Sequence, residues 1–225
     1  YTDIVLVGDS LGSVLYNYST TRKVTLTEMI NHSKSVRLGV NKSLMVVDMP
    51  FNTYATKKSA LKNAKKIIKE TKCDAVKLEG GKKIVNQIKL LIKNKIPVMG
   101  HLGLLPQSTK GKFKSKGKTA KEIKQLISDA LLLQENGVFA IVLECIKTPI
   151  AKQITKNLDI PTIGIGSSVH CDGQVLVTDD LIGLNQTNIK FVKKFLNVKK
   201  YINKGLRKFA SEVKSNQYPS RKYSY

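Results

Sequence analysis

Residues 74–81 read DAVKLEGG. Ala75, Val76 and Leu78 form the apolar frame of a buried strand, but Lys77 and Glu79 interrupt it and a glycine pair closes it. Side chains alternate faces along a strand, so Lys77 and Glu79 share one face and Val76 and Leu78 take the other. A cation and an anion together at a strand end have two readings: a surface ion pair on a half-exposed strand, or part of an active site. The neighbouring segments decide between them.

Five further apolar runs share the pattern: IVLVGDS (4–10), SLMVVDMPF (43–51), IPVMGHLG (96–103), FAIVLEC (139–145) and IPTIGIGSS (160–168). They are rich in Val, Ile and Leu without strict polar alternation, which is how a parallel strand covered on both faces reads. Amphipathic stretches separate them. SALKNAKKIIKET (59–71) places Leu61, Ala64, Ile67 and Ile68 on one stripe, KIVNQIKLLIKNK (83–95) does so with Ile84, Ile88, Leu91 and Ile92, and AKEIKQLISDALLLQENG (120–137) ends at Gly137. Repeated strand–helix order predicts βα units joined by right-handed crossovers. Beyond residue 168 the pattern weakens. GQVLVTDDLIGL (173–184) fits helix or strand, KFVKKF (190–195) is a candidate short strand, YINKGLRKFASEVKS (201–215) a terminal helix, and TKGKFKSKGKTA (109–120) a flexible loop. A single domain over residues 1–225 is expected, with a C-terminal helical segment over about 200–216.

The 225 residues suffice for one good core, and α/β barrels often have this size. No apolar run approaches the roughly 20 residues that span a bilayer. No secretory signal precedes the first apolar run, and Cys73, Cys145 and Cys171 form neither a zinc pattern nor a disulfide framework, so a reducing, cytoplasmic setting is expected. The net charge of +23 invites a nucleic-acid reading. The excess, however, is lysine spread over predicted helices and loops, without aromatic interleaving, an RNA-binding signature or a helix-turn-helix pattern. A solvated lysine-rich surface is the expectation, with no nucleic-acid or membrane partner.

The strand ends carry the chemistry. Asp9 follows the first run, Asp48 the second, Lys77 and Glu79 close the third, His101 follows IPVMG, and Glu144 follows FAIVL. A lone Asp after a strand is usually a turn residue or an N-cap, and a lone His is as often a satisfied core residue. Polar ends on successive parallel strands are more specific, because a (βα)8 barrel gathers these ends at one mouth. Three carboxylates meeting there, Asp9, Asp48 and Glu79, repel unless a cation sits among them, and their all-oxygen character suits Mg²⁺. Lys77 then serves an anionic substrate as a point charge.

VGDSLG (7–12), VDMPF with YAT after it (47–51, 54–56), KLEGG (77–81), PVMGHLGLLPQS (97–108), SDALLLQENG (128–137), VLEC (142–145), IPTIGIGSS (160–168) and DGQVLV (172–177) together resemble the ketopantoate hydroxymethyltransferases, also called 3-methyl-2-oxobutanoate hydroxymethyltransferases. The resemblance runs in order along essentially the whole chain. It implies transfer of a one-carbon unit from 5,10-methylenetetrahydrofolate to C3 of 3-methyl-2-oxobutanoate, giving 2-dehydropantoate for pantothenate biosynthesis. It implies Mg²⁺ surrounded by Asp9, Asp48 and Glu79, directly or through water. It further implies the 2-oxo acid held by Asp9, Ser10, Asp48 and Lys77, Glu144 as general base, His101 in a polar supporting role, and a homo-oligomer, typically a decamer. Family members carry about forty more residues ahead of this first strand, so the expected fold is α/β, a (βα)8 TIM barrel lacking its first βα unit in this chain. Departures from the family pattern are Lys23 for a common proline, Phe113 for a tyrosine, and Ser167 and Ser168 for Ala-Gly. The alternatives are a related Mg²⁺ barrel acting on another 2-oxo acid as lyase or mutase, and a non-catalytic basic remnant.

Overall fold

A computed structural model describes residues 2–109, 114–185 and 188–225. Phe113 and the centre of the 109–120 loop lie outside the described residues. The chain divides into two compact units, one ending at Val175 and the second comprising Leu176–Tyr225.

The first unit is an α/β sheet of seven parallel strands: β1 (Ile4–Val7), β2 (Leu44–Asp48), β3 (Ala75–Glu79), β4 (Val98–Gly103), β5 (Ala140–Glu144), β6 (Thr162–Ile165) and β7 (Gly173–Gln174). Among the described residues each strand pairs only with its sequence neighbours, in the order β1 to β7. That is the strand order of a (βα) barrel. The helices between them are α1 (Leu11–Leu15), α2 (Leu26–Gly39), α3 (Lys57–Thr71), α4 (Val85–Lys93), α5 (Ala120–Glu135) and α6 (Thr148–Lys156).

Alternation along the strands sorts the core into two layers. Val47, Val76, Leu78, Val98, Leu102, Ile141 and Leu143 face outward and pack with Ala60, Ala64, Ile67, Ile88 and Leu91 of the helices. Val46, Ala75, Met99, Ala140 and Val142 face inward, with Ile4, Leu6, Ile163 and Ile165 against them, and form an apolar floor. The register sets the inward residues of neighbouring strands beside one another: Asp48 beside Lys77, and Glu79 beside His101. The polar strand ends therefore stand on one side of the sheet, above the apolar floor.

Local signals agree with this layout. Thr25 and Glu28 form a capping box at the start of α2, and Thr56 and Ser59 do the same for α3. Such a cap contributes about 1 kcal/mol. Thr119 caps α5 through the Glu122 amide. Gly137 follows that helix at φ +84°, the left-handed conformation in which helices commonly end.

The second unit holds the short helix α7 (Thr178–Leu181) and α8 (Val198–Lys214), started by the Asn197 side chain accepting from the Lys200 amide. Residues 173–184 thus supply both a strand and a helix. The candidate strand at 190–195 is not one. The Val192 amide closes a turn onto the Ile189 carbonyl and the Phe195 amide reaches the Leu181 carbonyl. Two isolated bonds in different directions make no ladder, whatever the apolar content of the segment. On α8, Ile202, Leu206, Phe209 and Val213 form an exposed apolar stripe. Among the described residues no helix is long and apolar enough to cross a membrane.

Candidate active site

The strand-end residues converge. Asp9, Asp48, Lys77, Glu79 and His101 are all buried, against the rule that charged side chains stay in water unless paired. Lys77 Nζ lies 3.1 Å from Asp48 Oδ1 and 3.1 Å from His101 Nδ1. His101 Nδ1 is 3.6 Å from Glu79 Oε1, and Nε2 is 3.1 Å from Glu144 Oε2. The Asp9 amide donates to Asp48 Oδ2 at 3.0 Å. A surface ion pair is thereby excluded for Lys77 and Glu79: they belong to one buried charge network spanning four strands and the turn after β1.

The tautomer of His101 follows from its neighbours. An ammonium can only donate, so Nδ1 accepts from Lys77 and the imidazole proton sits on Nε2, toward Glu144. Burial, and then the Lys77 charge, push the His101 pKa below the usual value, which keeps the ring neutral. The Nε2–Oε2 contact is short but lacks hydrogen-bond alignment. Glu144 is the most open carboxylate of the group, its side chain 15% exposed.

Gly103, at φ +99°, is forced by the same geometry. A Cβ there would collide with the Glu144 carbonyl, and the Leu104 amide donates to that carbonyl at 2.8 Å. The end of β4 thus grips the backbone of the β5 residue that carries the carboxylate. The glycine pair after Glu79 also has a reason. A Cβ at Gly81 would strike the Asp129 carboxylate, which accepts from the Lys82 amide at 2.9 Å and so ties the start of the β3–α4 connection to α5.

The site is short of positive charge. Burial, then repulsion by Asp48, raise the Asp9 pKa to about 6, although Lys77 and a hydrogen bond from Gln107 pull it down. Burial raises Glu79 to about 8 against the pull of Lys77. Burial also opposes the charge on Lys77, but Asp48, Glu79 and Asp9 outweigh it and hold the ammonium charged. One consequence is measurable in the metal-free protein. The native state keeps a proton on Glu79 up to about pH 8, whereas unfolded Glu releases it near 4.5. Over that interval the native state binds more protons than the unfolded one, so stability falls as pH rises. Between about pH 7.5 and 8 the unfolded-state titrations of Asp and Glu are complete and that of His, near 6.5, is largely so, and the slope belongs chiefly to Glu79. Thermal unfolding in chelator is expected to show a falling midpoint across this window, and Glu79→Gln to flatten it. A Glu79→Gln variant that keeps the wild-type slope would refute the assignment.

The donor set suits a hard divalent cation. Asp48 Oδ1 accepts no aligned hydrogen bond although it is buried, and Asp9 stands beside it, its pKa raised by burial and then by repulsion from Asp48. Among the described residues no three His, Cys, Asp or Glu side chains are grouped to hold a metal by themselves. Mg²⁺ does not require that, since it commonly binds one or two carboxylates and completes its shell with water and substrate oxygens. Asp9 and Asp48 fit the first role. Glu79, engaged with Gln107 and His101, fits contact through water. Ser10 belongs to the same corner: a Cβ at Gly8 would lie 3.1 Å from the Ser10 hydroxyl and 3.6 Å from Asp48 Oδ2.

Beside the acid cluster lies a cavity of about 820 Å³ whose lining includes Phe51, Tyr54, Glu79, Lys82, Gln107 and Asp129. Its volume is that of pockets that bury drug-sized ligands. Cys145, next to Glu144, is no nucleophile at neutral pH: burial, then the Glu144 charge, push its thiol up to about 11.

A family model described as ketopantoate hydroxymethyltransferase matches residues 1–221. The chain belongs to the ketopantoate hydroxymethyltransferase family. A 3-methyl-2-oxobutanoate hydroxymethyltransferase of Pelagibacter ubique (strain HTCC1062) is 63% identical over 225 residues, covering 100% of this chain and 87% of the relative. The enzyme of that name from Acetivibrio thermocellus is 46% identical over 227 residues, covering 99% of this chain and 80% of the relative. Membership makes the chain an enzyme of the hydroxymethyltransferase class. Among solved structures, a 2,3-dimethylmalate lyase of the PEP mutase/isocitrate lyase superfamily superposes with a TM-score of 0.57 at 10% identity, covering 99% of this chain and 76% of that one. This likeness bears on the fold alone and agrees with the barrel strand order.

Proposed function

We propose that the chain transfers a hydroxymethyl group from 5,10-methylenetetrahydrofolate to C3 of 3-methyl-2-oxobutanoate, giving 2-dehydropantoate. The observation that carries this reading is the pairing of the most open carboxylate of the group, Glu144, with a buried, charged Lys77 on either side of His101. Lys77 anchors the substrate carboxylate, with Asp9, Ser10 and Asp48 around it. Glu144 removes the proton at C3, and the electron pair enters the C2–C3 bond as an enolate. His101 turns its Nε2 proton toward Glu144 and, being neutral, does not compete with the charge on Lys77. Asp9 and Asp48, with Glu79 behind them, would hold Mg²⁺, which when bound would supply Lewis acidity to the 2-oxo group. The enolate carbon then bonds to the folate methylene, tetrahydrofolate leaves, and water provides the hydroxyl. The cavity beside Glu79 supports the reading, because the folate needs a large pocket that shares a wall with the acid cluster. We also place the enzyme in the cytoplasm as a homo-oligomer; the exposed apolar stripe of α8 supports the second point.

The test separates proton removal from carbon transfer. The purified protein is expected to exchange the C3 hydrogen of 3-methyl-2-oxobutanoate in deuterated water with Mg²⁺ alone, and to form product only when the folate is added. A folded protein that exchanges no hydrogen at C3 under these conditions would sink the proposal.

A further inference from the structure

Gln107 is a neutral side chain in the middle of the charge network. It lies beyond β4 and is only 2% exposed. Its Nε2 donates to Asp9 Oδ2 at 2.8 Å and to the Met49 carbonyl at 3.0 Å, while Oε1 accepts from the Tyr54 hydroxyl at 2.6 Å. Its backbone amide donates to Glu79 Oε2 at 3.0 Å. The amide can sit only one way round. A carboxylate oxygen and a backbone carbonyl can only accept, so both Nε2 hydrogens are committed to them, and a flip would turn Oε1 against two other oxygens. Tyr54 blocks that flip by donating to Oε1. Its hydroxyl also accepts the Glu79 amide at 3.4 Å. Burial, then the Glu79 charge, raise the Tyr54 pKa, so the phenol keeps the proton it donates. Gln87 holds the Tyr54 segment in turn, through the Tyr54 and Ala55 carbonyls at 3.3 Å each.

We propose that Gln107, locked by Tyr54, is a positioning residue that fixes Asp9 and Glu79 relative to each other and thereby sets the affinity of the site for Mg²⁺ and the 2-oxo acid. The inference rests on the roles given above to Asp9 and Glu79. One oxygen of each carboxylate is tied to the same residue, by side chain in one case and backbone in the other. Asp9 and Asp48 repel each other; without the tie, the Asp9 carboxylate is free to rotate away from its neighbour. Held in place on folding, the two carboxylates meet a cation without an ordering penalty at the moment of binding. Gln107 reaches Mg²⁺ and the 2-oxo acid only through these groups. Its loss is therefore expected in binding constants rather than in the chemical step.

The experiment compares Gln107→Met, Tyr54→Phe and the double variant. Three quantities are measured: Mg²⁺ binding to the free enzyme by calorimetry, KM for 3-methyl-2-oxobutanoate, and the C3 exchange rate at saturation. Gln107→Met keeps the backbone tie to Glu79 but loses the amide. It is expected to weaken Mg²⁺ binding by about 10–100-fold, the range seen when partners of metal ligands are removed, and to raise KM in parallel, with saturated exchange within about threefold of wild type. Tyr54→Phe makes no change at either carboxylate oxygen, yet is expected to shift the same two constants by a smaller factor. The double variant is expected to be no worse than Gln107→Met, since the lock has no purpose without the amide. Lower melting points with unchanged Mg²⁺ binding and KM, or effects that simply add, would overturn the proposal and leave Gln107 a packing residue. If Gln107→Met does not fold, Tyr54→Phe decides by the same constants. Wild-type Mg²⁺ binding that shifts as expected without any C3 exchange would support the clamp and overturn the proposed reaction; no Mg²⁺ binding at all would overturn both.

Discussion

Glu144→Gln is expected to slow exchange of the C3 hydrogen by about 10²–10⁴-fold, the usual contribution of a positioned general base. The substitution preserves shape, and the amide oxygen can still accept from His101 Nε2, so the pocket keeps its geometry. Only the ability to take a proton is lost. Mg²⁺ and oxo-acid affinity should therefore change little, and the defect should appear in the rate at saturation. Proton NMR of the substrate in deuterated water reads it directly. Exchange at the wild-type rate in a folded variant would remove Glu144 from the role of base and shift attention to His101, the imidazole beside it.

Lys77→Ala should cost more in stability than any other single change at the site. Lys77 is the buried cation facing Asp48, Glu79 and Asp9, and its removal leaves carboxylates in low dielectric with no counter-charge. Breaking one buried pair typically costs about 3–5 kcal/mol. Part of that loss is avoidable. The carboxylates can take up protons, and Mg²⁺ can replace the missing positive charge, so the variant should regain more stability than wild type on adding Mg²⁺. Oxo-acid binding should weaken far more than Mg²⁺ binding if, as proposed, the ammonium meets the substrate carboxylate and only opposes the metal. Calorimetry and thermal unfolding with and without Mg²⁺ test both points. An oxo-acid affinity equal to wild type would show that Lys77 balances charge without touching substrate.

The sequence was most readable where burial leaves a compositional trace. Six of the seven strands stood out as Val-, Ile- and Leu-rich runs because both of their faces are covered. α3, α4 and α5 showed clear apolar stripes. α2 and α6 did not stand out, since α2 buries only Met29, Ile30 and Ser33, and α6 only Ala151 and Ile154. At the site, ionisable groups at strand ends were visible because charge in an apolar run is conspicuous. His101 is harder to read, as a lone histidine carries no signal of its neighbours. Gln107 and Tyr54 lay inside recognised motifs, but a neutral amide and a phenol reveal their purpose only when partners nearly a hundred positions away come into contact, as Gln107 and Asp9 do. Those contacts are properties of the closed network, not of any local stretch.

The two-layer arrangement of β3 has a consequence for error tolerance. A strand displaced by one position would present Val76 and Leu78 to the mouth and press Lys77 and Glu79 against the helices. That mistake is prevented by side chains that never approach a ligand, since the outward residues are buried among Ile67, Ile88 and Leu91. The accuracy with which the reactive groups are aligned is thus underwritten by the oily side of the strand. Substitutions there can damage catalysis by misalignment while leaving every reactive group in the sequence intact.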